Sequence, residues 1–193
     1  MIALTVAPHR ATKEAPAPSE QRQLVQSLCQ PGVLDSGTQP VDVVETHISY
    51  VLLAGAYAYK IKKAVNLQFL DFSTLSARRR DCLEELRLNR SLAPSVYLDV
   101  VAITGTMEAP AIGGDGPVLE YALKMRQFRQ DGLFSAMLQR GALTGAHIDQ
   151  LAMVVASFHQ GTARAGADAP YGRLHDILQP ALVVMTHPRR RSR

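Results

Sequence analysis

The order in which the hydrophobic period changes along the chain is the feature that most limits its fold. Several short runs are apolar or alternate between apolar and polar residues, which is typical of β-strands. Between them, Ser73 or Thr74 is predicted to open a long helix that runs to about Leu92, just before Pro94. Strands grouped ahead of most helices favour an α+β domain over a doubly wound α/β domain. The predicted strands are residues 41–45, 47–54, 57–64, 96–104 and 118–128.

A short helix is predicted ahead of the first strand, from residue 20 to about residue 30, with Ser19 as its cap. Before it, residues 1–18 are interpreted as a flexible lead-in, because they combine prolines with scattered charges. The apolar face of this helix is predicted to consist of Leu24, Val25 and Leu28.

Two helices are predicted after the last strand. One covers residues 130–139, with Asp131 as its cap, and Thr144 is expected to cap the next. The second helix repeats apolar residues at helical spacing, which predicts a buried stripe. That stripe is Ile148, Leu151, Val155 and Phe158. We therefore divide the chain into the lead-in, a strand-rich unit at 19–128, a partial helical unit at 129–180 and a basic tail at 181–193.

Composition narrows the class of protein. The chain has 193 residues, of which 47% are hydrophobic and 20% charged, as in a globular domain with its own core. Cys29 and Cys82 have no metal-ligand or CxxC spacing, and no apolar run approaches the length of a membrane span. We expect reduced thiols and a cytoplasmic protein without membrane contact. The net charge of +4 includes a run of arginines at the end, so nucleic-acid binding through residues 60–63 and this run is the weakest hypothesis.

The candidate chemistry lies on the third predicted strand. Ala58 and Lys60 point to the same face, together with Lys62, because side chains alternate along a strand. The spacing matches the Ala-x-Lys of the third strand in protein kinases. There the small residue admits a flat base and the lysine reaches the nucleotide phosphates.

A carboxylate is expected to hold this lysine, and the following helix offers two. Glu85 shares a helical stripe with Cys82, Leu88 and Leu92, predicted to face inward, whereas Glu84 lies among polar residues. We predict Glu85 as the partner and keep Glu84 as the alternative. A Lys–Glu pair between strand and helix is the kinase arrangement for positioning phosphates.

Over roughly residues 20–175 the sequence resembles the bacterial aminoglycoside phosphotransferase-like proteins that are often fused to a C-terminal P-loop ATPase domain. The resemblance implies a protein-kinase-like N-lobe at 19–128, an antiparallel sheet plus a long helix, and the first helices of a truncated C-lobe. The segments that carry it are ETHISYVLL (45–53), YKIKK (59–63), FLDFSTL (69–75), ELRLNR (85–90), residues 93–94 and 97–98, and EYALKMRQF (120–128).

The resemblance also implies a nucleotide site for ATP with Mg²⁺. Thr46 and Ser49 would replace a glycine-rich loop, and Lys60, held by Glu85, would contact the phosphates. Backbone groups near Met125 and Gln127 would form the hinge that meets adenine. The implied nucleotide-binding residues are Thr46, Ser49, Ala58, Lys60, Glu85, Met125 and Gln127.

The sequence departs from this family where catalysis is concerned. The only adjacent His-Asp pair is His175-Asp176, no Asn follows it, and GxxxxGK[ST] is absent. We therefore assign no catalytic residue and no metal ligand, and expect a nucleotide-binding lobe that is inactive alone. A truncated or frameshifted reading frame is one hypothesis. On this hypothesis, the missing C-terminal lobe or the missing ATPase domain would be a partner of this chain. The alternative function is a non-catalytic interaction module or a self-associating fragment.

Several charged residues also have an ordinary structural interpretation. Lys62 and Lys63 are expected to be solvated, and so are the three arginines at 78–80 on the long helix. His47 is interpreted as a structural hydrogen-bonding residue at a strand start rather than as a phosphate ligand.

Overall fold

The computed structural model describes residues 18–34, 37, 40–67 and 69–162, and beyond these positions 164, 166, 169, 173–175, 178–179 and 182. Residues 1–17 of the predicted lead-in, Asp176 and nearly all of the predicted basic tail lie outside the described residues. The described part combines helices with one six-stranded antiparallel sheet, so the α+β prediction is confirmed.

The sheet is built from strands that are not in sequence order. Its spatial order is β1-β2-β3-β6-β4-β5, and every neighbouring pair is antiparallel. The long helix α2 follows β3 and contacts β4 and β6. The elements are α1 (Pro18–Leu28), β1 (Asp42–Glu45), β2 (Ser49–Ala54), β3 (Tyr57–Lys62), α2 (Leu75–Arg90), β4 (Tyr97–Gly105), β5 (Pro110–Ile112), β6 (Val118–Arg126), a 3₁₀ turn (Gln130–Gly132), α3 (Phe134–Gln139) and α4 (Gly145–Gly161).

The two faces of the sheet carry different side chains, because side chains alternate along each strand. One face of β2 and β3 forms the hydrophobic core with helix α1. This core includes Leu24, Val25, Leu28, Tyr50, Leu52, Tyr59 and Ile61. The opposite face, which carries Ala58 and Lys60, is left for the candidate site. A tight turn at Gly55, whose φ is +59°, joins the two strands and sets this register.

Local signals placed α2 correctly. The side chain of Thr74 accepts a hydrogen bond from the backbone N–H of Ala77 at 3.1 Å, so Thr74 caps the helix as expected. At α1, however, the helix already begins at Pro18, and Ser19 lies inside it rather than at the cap. Proline suits a first helical turn because it lacks the N–H that would be unpaired there.

The segment after β6 differs most from its prediction. The single helix predicted over residues 130–139 is a 3₁₀ turn followed by the short α3, and Asp131 pairs with Arg129 instead of capping a helix. The loop predicted between β4 and β6 contains the short strand β5. Both errors concern elements of three to six residues, which are too short for a hydrophobic period to reveal.

The buried stripe predicted on α4 is wrong. No residue of α4 is buried, although Thr144 does precede the helix as its N-cap. Helical spacing of apolar residues buries a face only if another element packs against it. The four stripe residues are 39–48% exposed: Ile148, Leu151, Val155 and Phe158. No helix in the described ranges is long and apolar enough to cross a membrane.

Candidate functional site

A cavity of about 570 Å³ lies on the face of the sheet opposite α1. Side chains of β2 and β3, the turn before β2, helix α2 and the segment after β6 enclose it. All seven residues predicted for the nucleotide site line this cavity, namely Thr46, Ser49, Ala58, Lys60, Glu85, Met125 and Gln127. Its wall also includes apolar side chains, among them Val51, Leu53 and Phe128.

The predicted contact between strand and helix is present. The ammonium Nζ of Lys60 on β3 lies 2.7 Å from Oε1 of Glu85 on α2. The Lys60 side chain is 28% exposed and the Glu85 side chain 16%, so the pair lies at the border between cavity and interior. The predicted contact between an ammonium and a carboxylate is therefore confirmed, and the binding of a nucleotide in the cleft beside it stays a prediction.

Helical geometry separates the two candidate carboxylates as expected. Glu84 points outward and pairs with Arg87 at 2.6 Å on the exposed surface. The proposed inward stripe is only partly correct, because Cys82 is buried while Leu88 and Leu92 are about half exposed. Glu85, the partner of Lys60, therefore lies on the same face of α2 as the buried Cys82.

Lys62, which contacts the cavity-lining Glu85, is the main residue near the site whose role the sequence pattern did not indicate. Its Nζ lies 2.5 Å from Oδ2 of Asp81 and 2.7 Å from Oε2 of Glu85, and the residue is only 4% exposed. The expectation that it is solvated is wrong, because two carboxylates of α2 meet the ammonium. Lys63 is engaged as well, 2.5 Å from Oε1 of Glu45.

These ion pairs change the protonation equilibria of the site. Burial alone would raise the pKa of the Glu85 carboxyl, but hydrogen bonds from Lys60 and Lys62 outweigh it, so this pKa is lowered. Burial would lower the pKa of Lys62, but Asp81 and Glu85 outweigh that effect, so this pKa is raised. Both shifts favour the charged forms at neutral pH.

Acid is expected to destabilise the protein through Glu85. Its pKa in the folded state is lowered, so the stability it contributes is present above the unfolded pKa and is lost as the pH falls through the folded pKa. We expect Glu85→Gln to lower the free energy of unfolding at pH 7 but to flatten its decline below about pH 4.3, the ordinary pKa of a glutamate. Urea denaturation at several pH values measures this. Glu84→Gln is the matched control, and an equally flattened decline in that variant would contradict the prediction.

The turn that was expected to replace a glycine-rich loop is closed by its own hydrogen bonds. The hydroxyl of Thr46 accepts from the backbone N–H of Ser49 at 3.0 Å and lies 3.2 Å from the Ser49 carbonyl. Ser49 is 1% exposed, and its hydroxyl has no hydrogen-bond partner among the described residues. His47 is exposed and lines the cavity beside them.

The predicted hinge borders the cavity, but two of its backbone donors are already used. The N–H of Arg126 donates to the carbonyl of Val96 at 2.8 Å, and the N–H of Gln127 donates to that of Ala56 at 2.9 Å. An adenine ring in this cavity would therefore need a donor other than these two N–H groups.

A second charged cluster lies outside the cavity and was also missed. Arg78 and Glu120 are both fully buried, and the guanidinium Nε lies 2.9 Å from Oε2 of Glu120. Gln21 of α1 donates to the same oxygen at 2.9 Å and to the carbonyl of Lys62 at 2.8 Å. The expected solvated arginine turn is therefore wrong for Arg78. The sequence did contain a signal for this buried ion pair, namely Glu120 within the apolar sequence of β6. A buried carboxylate needs a hydrogen-bonding or charged partner.

The comparisons with known proteins give relatives but no family. The chain is 36% identical over 124 residues to uncharacterized proteins of Mycobacterium tuberculosis and Mycobacterium bovis. The match covers 64% of this chain and 23% of those relatives, so the chain corresponds to about a quarter of their length. No family model matches the sequence, and no solved structure matches it.

Proposed function

We propose that the cavity binds ATP, and that the chain is a protein-kinase-like N-lobe of the aminoglycoside phosphotransferase-like type. The observation that carries the proposal is the contact of 2.7 Å between Lys60 on the third strand and Glu85 on the helix that follows it. In protein kinases, a lysine of the third strand contacts the phosphates and is held by a glutamate of the next helix.

The cavity has the size and lining that such a ligand requires. Small-molecule sites usually enclose about 300–1,000 Å³ and combine apolar walls with a few polar groups. Here Val51, Leu53 and Ala58 supply an apolar surface for a base, and the small side chain of Ala58 leaves room beside the sheet. Lys60 supplies the positive charge for phosphate groups.

The proposal concerns binding and not phosphoryl transfer by this chain. Transfer needs a residue that accepts the proton of the acceptor and ligands for Mg²⁺, and we assign these roles to no residue of this sequence. Within the described part of the chain, no three His, Cys, Asp or Glu side chains are grouped so that they could hold a metal ion. We further propose a cytoplasmic location, which the two free thiols of Cys29 and Cys82 support.

Calorimetric titration of the full chain with ATP and Mg²⁺ tests the proposal. We expect measurable binding that Lys60→Ala weakens at least about tenfold, because a charge-assisted hydrogen bond to phosphate contributes about 1.5–3 kcal/mol. Arg87→Ala is the matched control, since it removes the same charge from an exposed surface pair. Absence of binding, or equal affinity in the two variants, would refute the proposal.

The alternative, a self-associating module without catalysis, is favoured by the exposed apolar residues of α4. Met153 is 65% exposed and Val154 49%, in addition to the four residues of the expected stripe. Large exposed apolar patches mark interaction surfaces. Light scattering distinguishes the alternatives, because self-association gives a mass that rises with concentration and that Val155→Lys reduces, whereas a constant monomeric mass contradicts it.

A further inference from the structure

Two lysines share one carboxylate in this site. Lys60 and Lys62 lie on the same face of β3, and Glu85 reaches them from α2 with one oxygen each, at 2.7 Å in both cases. A lysine–glutamate pair needs only one lysine, so the arrangement raises the question of what the second does.

The two lysines differ in their access to the cavity. The Lys60 side chain lines the cavity and is 28% exposed. The Lys62 side chain is 5% exposed, its Nζ lies 5.0 Å from the centre of the Phe72 ring, and the same Nζ also pairs with Asp81. Lys62 therefore acts on a ligand only through Glu85.

The charges of the cluster are unequal. Lys60, Lys62 and Glu85 together carry one net positive charge, and the carboxylate of Asp81 that compensates it is 40% exposed and screened by water. If Lys60 turned towards an anion without Lys62 present, Glu85 would be a buried carboxylate with no partner, which is strongly unfavourable. With Lys62 in place, Glu85 keeps a counter-ion.

We propose that Lys62 is a positioning residue, which neutralises Glu85 and so leaves the ammonium of Lys60 available to phosphate groups in the cavity. This inference rests on the proposed nucleotide-binding function, but the state of Glu85 can be measured without any nucleotide.

The other groups that face Glu85 do not supply a counter-charge. Tyr97 of β4 and Cys82 of α2 interact with it electrostatically. Burial raises the pKa of Tyr97 and raises that of Cys82 to about 12, so both are neutral at pH 7. Asp81 is negative. Among the described residues, Lys60 and Lys62 are the groups that favour the ionised form of Glu85.

The pKa of the Glu85 carboxyl, measured by carbon NMR, tests the inference in two variants. In Lys60→Ala we expect this pKa to stay at or below about 4.3, the ordinary value, because Lys62 remains. In Lys62→Met we expect a rise of about one pH unit or more above the wild type, because the more deeply buried counter-ion is lost. Lys62→Arg should restore the low pKa.

The opposite order, a raised pKa in Lys60→Ala and none in Lys62→Met, would overturn the inference. If Lys62→Met does not fold, Lys60→Ala alone decides. A Glu85 pKa at or below about 4.3 in Lys60→Ala then supports the inference, and a pKa raised above this value overturns it. Titration of the wild type and of Lys62→Met with ATP then separates the two claims. Loss of ATP affinity of about tenfold at pH 7 in Lys62→Met supports positioning, whereas a wild type that binds no ATP refutes only the proposed function.

Discussion

Replacing Arg78 with methionine is expected to lower the free energy of unfolding by about 3–5 kcal/mol, the usual cost of breaking a buried ion pair from one side. Glu120 is fully buried, and burial raises the pKa of its carboxyl even beside Arg78. Without the guanidinium that faces both of its oxygens, the carboxyl must either stay charged with no counter-ion or take up a proton, and both outcomes cost stability. The variant also loses the hydrogen bond of 2.8 Å from Nη1 of Arg78 to the carbonyl of Phe72, where the chain enters α2. Urea denaturation followed by circular dichroism measures the change.

The double variant Arg78→Met, Glu120→Met is the test of cause. Because it removes both charges and leaves apolar side chains of similar length, it should recover part of the loss. The rest remains, since Gln21 and the carbonyl of Phe72 still lack the hydrogen-bond partners that Glu120 and Arg78 supplied. Arg80→Met is the matched control on the exposed side of the same helix and should change stability by no more than about 0.5 kcal/mol. A single variant at Arg78 that behaves like the one at Arg80 would contradict the assignment of a stabilising buried pair.

Replacing Leu24 with alanine is expected to destabilise the protein by about 2–5 kcal/mol, as for other large-to-small core substitutions. Leu24 is 0% exposed and attaches α1 to the sheet face that carries Leu52, Tyr59 and Ile61. The loss of burial is expected to act on the whole domain, because the same strands carry the candidate site on their other face. Thermal and urea denaturation measure the loss.

Leu151→Ala on α4 is the matched control for Leu24→Ala. The two leucines look alike in sequence, since each belongs to an apolar stripe at helical spacing, but Leu151 is 47% exposed. We expect a change within about 0.5 kcal/mol for Leu151→Ala. Equal losses in both variants would mean that α4 is packed against a surface in solution, contrary to its exposure here.

The Lys60–Glu85 contact could be predicted because it depends on two local periods. Alternation along a strand fixed the face of Ala58 and Lys60, and the helical period separated Glu85 from Glu84. The strand period and the helical period are both properties of the backbone, so they can be used on the sequence without knowledge of the tertiary packing. The same reasoning located α2 and its cap at Thr74.

The remaining partners of the charged residues could not be predicted in this way. Lys62, Arg78 and Gln21 meet carboxylates that are 19 to 99 residues away in sequence, and no local sequence pattern identifies a partner at such a distance. The exposure of α4 was missed for a related reason, because apolar spacing shows which face could be buried but not whether anything covers it.

Local sequence patterns were enough to predict the α+β class, the succession of the main strands and the long helix along the chain, and the side chains that share one face of each element. These follow from local sterics and from the backbone period. The folded chain was needed to reveal the spatial strand order β1-β2-β3-β6-β4-β5, the second lysine that pairs with Glu85 and the burial of Arg78 against Glu120. Those features depend on long-range pairing, where a buried charge must find a counter-charge from whichever element packs beside it.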